Sequence, residues 1–99
     1  MKNKIQDIKA RFDHEAAKQT LHEKYESNML FADFGGMWKA GPTLINTLNS
    51  TNTEIMYLLD EYGNPCKVPR LKFLSTVQEI WQEQMNMWFL EYEKRSTVR

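Results

Sequence analysis

Ninety-nine residues suit one small domain, whose modest core makes self-association an ordinary way of adding stability. Basic and acidic side chains balance at thirteen each, so the excess positive charge that marks most nucleic-acid and anionic-membrane binders is missing. A single cysteine, Cys66, excludes an internal disulfide and a multi-cysteine metal knuckle.

The opening Met-Lys-Asn-Lys-Ile-Gln carries charge without a following apolar run, and no apolar stretch approaches a membrane span. A cytoplasmic location is therefore expected. Asn49-Ser50-Thr51 has the form of a glycosylation acceptor, read here as a coincidence in a polar loop.

In chain order, Asn3 with Gln6 forms a capping-box pattern that predicts a helix from Lys4 to about Leu30, a stretch without glycine or proline. Opposite charges at four-residue spacing (Asp7 and Arg11, Lys9 and Asp13, Arg11 and Glu15) support it modestly. Its apolar stripe changes side. Ile5, Ile8, Phe12 and Ala16 share one side, whereas Ala17, Leu21, Tyr25 and Met29 form a second stripe roughly 120–160° away. That shift predicts either a break near 13–17 or two halves with different neighbours. The first half either closes the monomer or reaches across to another subunit.

Residues 31–42 read as an aromatic, glycine-rich loop around Gly35-Gly36. Phe34, Met37 and Trp38 give it the composition of a ligand rim, a protein anchor or a lid over the core. Pro42 suits the first position of a short helix over 43–48, with Leu44, Ile45 and Leu48 inward. A hairpin follows over about 54–68. Its first strand is Glu54 to Leu59, its turn is Asp60 to Asn64, and its returning strand is Cys66 to Val68. Pro65 removes a ladder donor and belongs on an edge. Two strands alone are marginal, so helices or another chain's edge must support them.

The last helix spans about 70–94, with a frayed tail over 95–99. Pro69 favours a start at Arg70, while Ser75 with Gln78, or Thr76 with Glu79, offers a later one. Leu74, Val77, Trp81, Met85, Trp88 and Tyr92 recur at three and four residues, close to a heptad seam. Phe73, Ile80 and Met87 widen it on one side and Phe89 on the other, to roughly 200° of the wheel. One partner within so short a chain covers only part of such a face. The expected interface is Trp81, Met85, Trp88, Tyr92, Ile80 and Met87, joined by Ile5, Ile8 and Phe12 of another subunit. Gln84 within the seam and Glu91 near its edge are where core should give way to interface.

Chemistry-bearing residues are sparse. His14 and His22 have no recognisable ligand set around them, Cys66 has no histidine nearby in sequence, and nothing in the sequence brings Asp33 and Asp60 together. The chain has no zinc-protease, P-loop or dinucleotide motif, so no cofactor is expected. Lys67, Arg70 and Lys72 form a local basic cluster that could contact a single strand, and Lys94, Arg95 and Arg99 form another. The second group also suits the negative end of the last helix dipole.

The aromatic loop, the strand ending in Leu58-Leu59-Asp60, the Gly63-Asn64-Pro65 turn and the Trp/Tyr-rich last helix resemble, in outline only, small accessory proteins of tailed phages. That resemblance bears on origin, and so on a host cytoplasm, and it carries no functional motif. The expected fold is α+β: two long amphipathic helices packed together, a short middle helix and a small hairpin. The expected function is a non-enzymatic protein-interaction or assembly module acting as a homo-oligomer. A small-ligand or single-stranded nucleic-acid accessory protein is the alternative, and a small enzyme the third.

Overall fold

A computed structural model describes the backbone of residues 2–97 and the side chains of residues 15–94. The fold is α+β, with elements in the order α1 (Lys2–Asn28), β1 (Leu30–Asp33), β2 (Gly36–Lys39), α2 (Pro42–Asn49), β3 (Ile55–Leu59), β4 (Pro65–Pro69) and α3 (Arg70–Thr97). The strands form two separate antiparallel hairpins, β1–β2 and β3–β4.

α1 is one unbroken helix, so the change of stripe is not a break. Its second stripe is the packing one. Leu21, Tyr25 and Met29 are buried, and the helix lies antiparallel to α3 with Tyr25 stacked on Trp88 at 5.7 Å between ring centroids. The side chains of the first stripe, Ile5, Ile8 and Phe12, lie outside the described residues. α3 starts at Arg70, directly after Pro69 closes β4, and runs beyond the expected boundary to Thr97.

The expected loop over 31–42 is a second hairpin instead. Phe34 and Gly35 form its two-residue turn with φ of +48° and +77°, the paired positive values of a type I′ turn. Glycine adopts that conformation freely, but phenylalanine does so only under constraint. The constraint is tertiary. The Phe34 ring meets Phe73 edge-on at 5.5 Å, and the Phe34 N–H donates to Asp33 Oδ1 at 3.0 Å. Sequence patterns that look for Asn-Gly between alternating runs pass over such a turn.

The core centres on Phe73 of α3, fully buried with Val77, Val68 and Leu48. Phe31, Phe34 and Trp38 of the first hairpin surround its ring at 6.0, 5.5 and 4.9 Å. Trp38 closes this layer from within, its indole N–H donating to the Asp33 carbonyl at 2.7 Å. From the second hairpin, Val68 and Cys66 alternate inward. The overall shape is long, 63 × 24 × 21 Å. Its radius of gyration of 18.6 Å exceeds the value of about 13 Å for a compact chain of this length.

Candidate functional site

Two features can engage another molecule: a wedge-shaped groove between the hairpins, and the C-terminal half of α3. The wedge begins where the hairpins touch. Asp60 is nearly buried at that junction, and its carboxylate accepts from the backbone N–H groups of Asn64 (2.8 Å), Tyr62 (3.0 Å) and Met37 (3.1 Å). The Glu61 N–H adds a bond to the Met37 carbonyl at 2.8 Å. Gly36 permits this approach, because a Cβ there would stand 2.9 Å from both Asp60 Cβ and Cys66 Sγ. Gly36→Ala should therefore push the hairpins apart and destabilise the fold by about 1–3 kcal/mol. A urea titration reads this directly, and an unchanged midpoint would show the junction to be loose.

The three donated hydrogen bonds, that from Asn64 first and that from Met37 next, hold the Asp60 carboxyl below the ordinary value of 3.8. A lowered folded-state value gives stability that is present above about pH 3.8 and is lost as pH falls through the lower folded value. The gap in urea midpoint between the native protein and Asp60→Asn should therefore close as the buffer is taken from pH 6 toward pH 2. A gap constant across that range would show that the charge is not what binds the turn.

From this junction β2 and β3 diverge, leaving a groove of about 700 Å³. Lys39 and Ala40 with the start of α2 (Pro42 to Leu44 and Thr47) line one side, Tyr57, Leu58 and Leu59 the other, and Trp81, Met85 and Trp88 of α3 the floor. All three tryptophans of the chain border it. At its rim the ammonium of Lys39 pairs with Glu26. Its size lies in the usual range for small-molecule sites, about 300–1,000 Å³.

On α3, several expected interface residues are already engaged within the chain. Trp88 stacks on Tyr25 and takes the edge of His22 at 5.3 Å. Trp81, Met85 and Ile80 pack half-buried against the core. Glu91 accepts from the Tyr25 hydroxyl at 2.6 Å and pairs with Lys24 at 3.1 Å, so it fastens α1 to α3. Its hydrogen bond is the main cause raising the Tyr25 hydroxyl and the Lys24 ammonium above their ordinary values. Gln84, the other polar exception, has a buried Oε1 with no hydrogen-bond partner among the described residues. Met87 and Tyr92 remain exposed, as do Phe89 and Leu90, which are 60% and 66% exposed. Sequence reasoning gave Phe89 only a flank and passed over Leu90. The run of apolar letters around the whole helix circumference was the available signal.

The remaining candidates have structural duties. Phe34 and Trp38 belong to the Phe73 layer, and the Met37 backbone to the Asp60 junction. Arg70 donates through Nε to the Thr53 carbonyl at 2.6 Å and through Nη1 to the Leu48 carbonyl at 3.4 Å, tying α2 to the start of α3. Lys67 and Lys72 are exposed. Asp33 and Asp60 do border one shallow hollow, each with a carboxylate oxygen already accepting turn N–H groups. Cys66 is buried, its thiol donating to the Asn64 carbonyl at 3.5 Å. The His14 side chain lies outside the described residues. No helix among the described residues is long and apolar enough to cross a membrane. In comparisons with known proteins, the chain matches no family model, no curated protein and no solved structure.

Proposed function

We propose that the protein is a non-enzymatic interaction module that acts as a homo-oligomer joined through the C-terminal half of α3, in the cytoplasm. One observation carries the reading. Over residues 85–92, Met85, Met87, Trp88, Phe89, Leu90 and Tyr92 are apolar and point to every side of the helix, the composition of a helix buried all round. Among the described residues, α1 covers the flank that carries Trp88 and Glu91.

Met87, Phe89, Leu90 and Tyr92 are each about half to two-thirds exposed, leaving on the order of 400 Å² of apolar surface. Phe89 and Leu90, adjacent in sequence and both exposed, form a ridge that a second copy also presents, and an isologous pairing covers both copies of that ridge at once. The elongated shape supports this, since a second chain supplies the partner that a compact monomer would find in itself. Static light scattering at tens of micromolar is the test: a dimer or higher species is expected, and a strictly monomeric protein would end the proposal.

A further inference from the structure

We propose that the wedge between β2 and β3 is a docking site for an extended segment of a partner protein, which adds as a strand to the free edge of β3. This site borrows Met85 and Trp88 of α3 for its floor, but its strand edge does not use the exposed ridge residues Met87, Phe89, Leu90 and Tyr92 and does not depend on them.

The argument starts from hydrogen-bond parity. The β3–β4 ladder is bracketed by bonds from Asp60 N–H to the Asn64 carbonyl (3.0 Å) and from Arg70 N–H to the Glu54 carbonyl (2.8 Å). Bonded and non-bonded pairs alternate between those limits. Ile55, Tyr57 and Leu59, opposite Pro69, Lys67 and Pro65, therefore turn their N–H and C=O groups away from β4. The Ile55 carbonyl is taken by the Thr53 hydroxyl at 3.0 Å. The outward groups of Tyr57 and Leu59 and the Ile55 N–H have no backbone partner among the described residues and are left for another strand.

The two edges of this hairpin are built differently. Along β4 the outward positions are Pro65, Lys67 and Pro69, so two of the three have no N–H and the third carries a charge, the usual guards of an exposed edge. Along β3 there is no guard. Its Tyr57 and Leu59 side chains are 75% and 68% exposed.

The facing wall completes the slot. In β1–β2 the two-residue turn makes Asp33 and Gly36 a bonded pair, and the Ala40 N–H bonds the Met29 carbonyl at 2.9 Å, so Met37 and Lys39 point outward. Met37 is consumed at the junction with Asp60 and Glu61, and Lys39 faces the open wedge. The floor of Trp81, Met85 and Trp88 offers adaptable apolar contact beneath a row of unpaired backbone groups. Main-chain pairing with pockets for alternate side chains is the physics of strand addition.

Charge sets the polarity of the occupant. Lys39 is neutralised by Glu26, whereas Glu61 is exposed at the closed end with no ion pair among the described residues. The wedge thus fits a segment with alternating apolar residues, no proline at its centre, and a lysine or arginine at the end beside Glu61.

The test pans a displayed library of random linear dodecapeptides against the full chain, then measures the enriched peptides by tryptophan fluorescence. Expected are sequences of the stated pattern, with binding weakened about tenfold or more by Tyr57→Pro. That change removes the outward Tyr57 N–H together with its side chain and takes no donor from the β3–β4 ladder, so Tyr57→Ala, which keeps the N–H, is measured beside it and should bind more tightly than Tyr57→Pro. Glu61→Lys should weaken binding several-fold, more so at low salt. Should Tyr57→Pro unfold the chain, peptides N-methylated at alternate positions against the native protein supply the same measurement, and one methylated register should lose binding. The idea is overturned by no enrichment over a bait-free control, or by methylation without effect. It is equally overturned if fluorescence responds to small apolar molecules but to no peptide, or if Tyr57→Pro abolishes self-association and so assigns the wedge to a second copy. The Phe89→Glu, Leu90→Glu protein should still bind the peptides, so failure of the α3 ridge and failure of the wedge are read separately.

Discussion

Replacing Phe89 and Leu90 together by glutamate is expected to leave a folded monomer whose self-association is at least a thousandfold weaker. Both side chains stand out from the chain's own packing, so the fold loses almost nothing with them. In an isologous interface each substitution counts twice. Burying one such side chain is worth about 1.5–3 kcal/mol, so the sum over the four copies of these side chains, about 6–12 kcal/mol, exceeds the roughly 4 kcal/mol of a thousandfold change. The introduced carboxylates oppose one another as well. Light scattering and a thermal melt on the same sample check both halves of this expectation. A variant with the native mass would mean that the ridge is not the contact. A variant that melts far below the native protein would mean that these residues serve the monomer. The corresponding change at Trp88 would not separate the two, because that ring is stacked on Tyr25.

Phe73→Ala should be the most damaging single truncation in the body of the protein. Its side chain is fully buried and touches three aromatic rings of the first hairpin. Phenylalanine truncations in cores cost about 3–5 kcal/mol, a large share of the total stability of about 5–15 kcal/mol of a small domain. A fall in melting temperature of roughly 15–30 °C is expected. The effect has a specific local signature. Phe34 holds a left-handed backbone against a penalty of about 1–3 kcal/mol, and its contact with Phe73 supports that conformation. Amide exchange should therefore speed up first in β1 and β2. Uniform acceleration across the chain would assign the loss to the cavity alone.

The parts of the fold that were legible in the sequence are those governed by nearby residues. Three- and four-residue spacing placed α3, and the lack of glycine or proline placed α1, whose shifting apolar stripe left open a break that the structure does not have. Pro42 marked α2, and the Asp60 to Asn64 turn with Pro65 marked the second hairpin at its observed place. Of the candidate sites, the breadth of the α3 apolar face was readable from the same spacing. Its division between core and surface was not. Trp81, Met85 and Trp88 face inward, and Leu90 outward, because of where α1 and the hairpins happen to lie. Arg70 reads as an available cation until α2 brings the Leu48 carbonyl to it.

The amphipathic final helix was thus determined by the sequence itself, because periodicity and propensity act within a few residues. That its C-terminal half has too little of its own chain to cover it was already implied by its composition. Only the tertiary structure decided which side is left over. The same holds for the first hairpin, whose Phe34 turn is upheld by a ring from the other end of the chain. It holds also for the free edge of β3, which becomes a slot only because Asp60 and Gly36 bring β2 beside it. In each case a long-range contact chose between local alternatives that neighbouring residues leave nearly equal in energy.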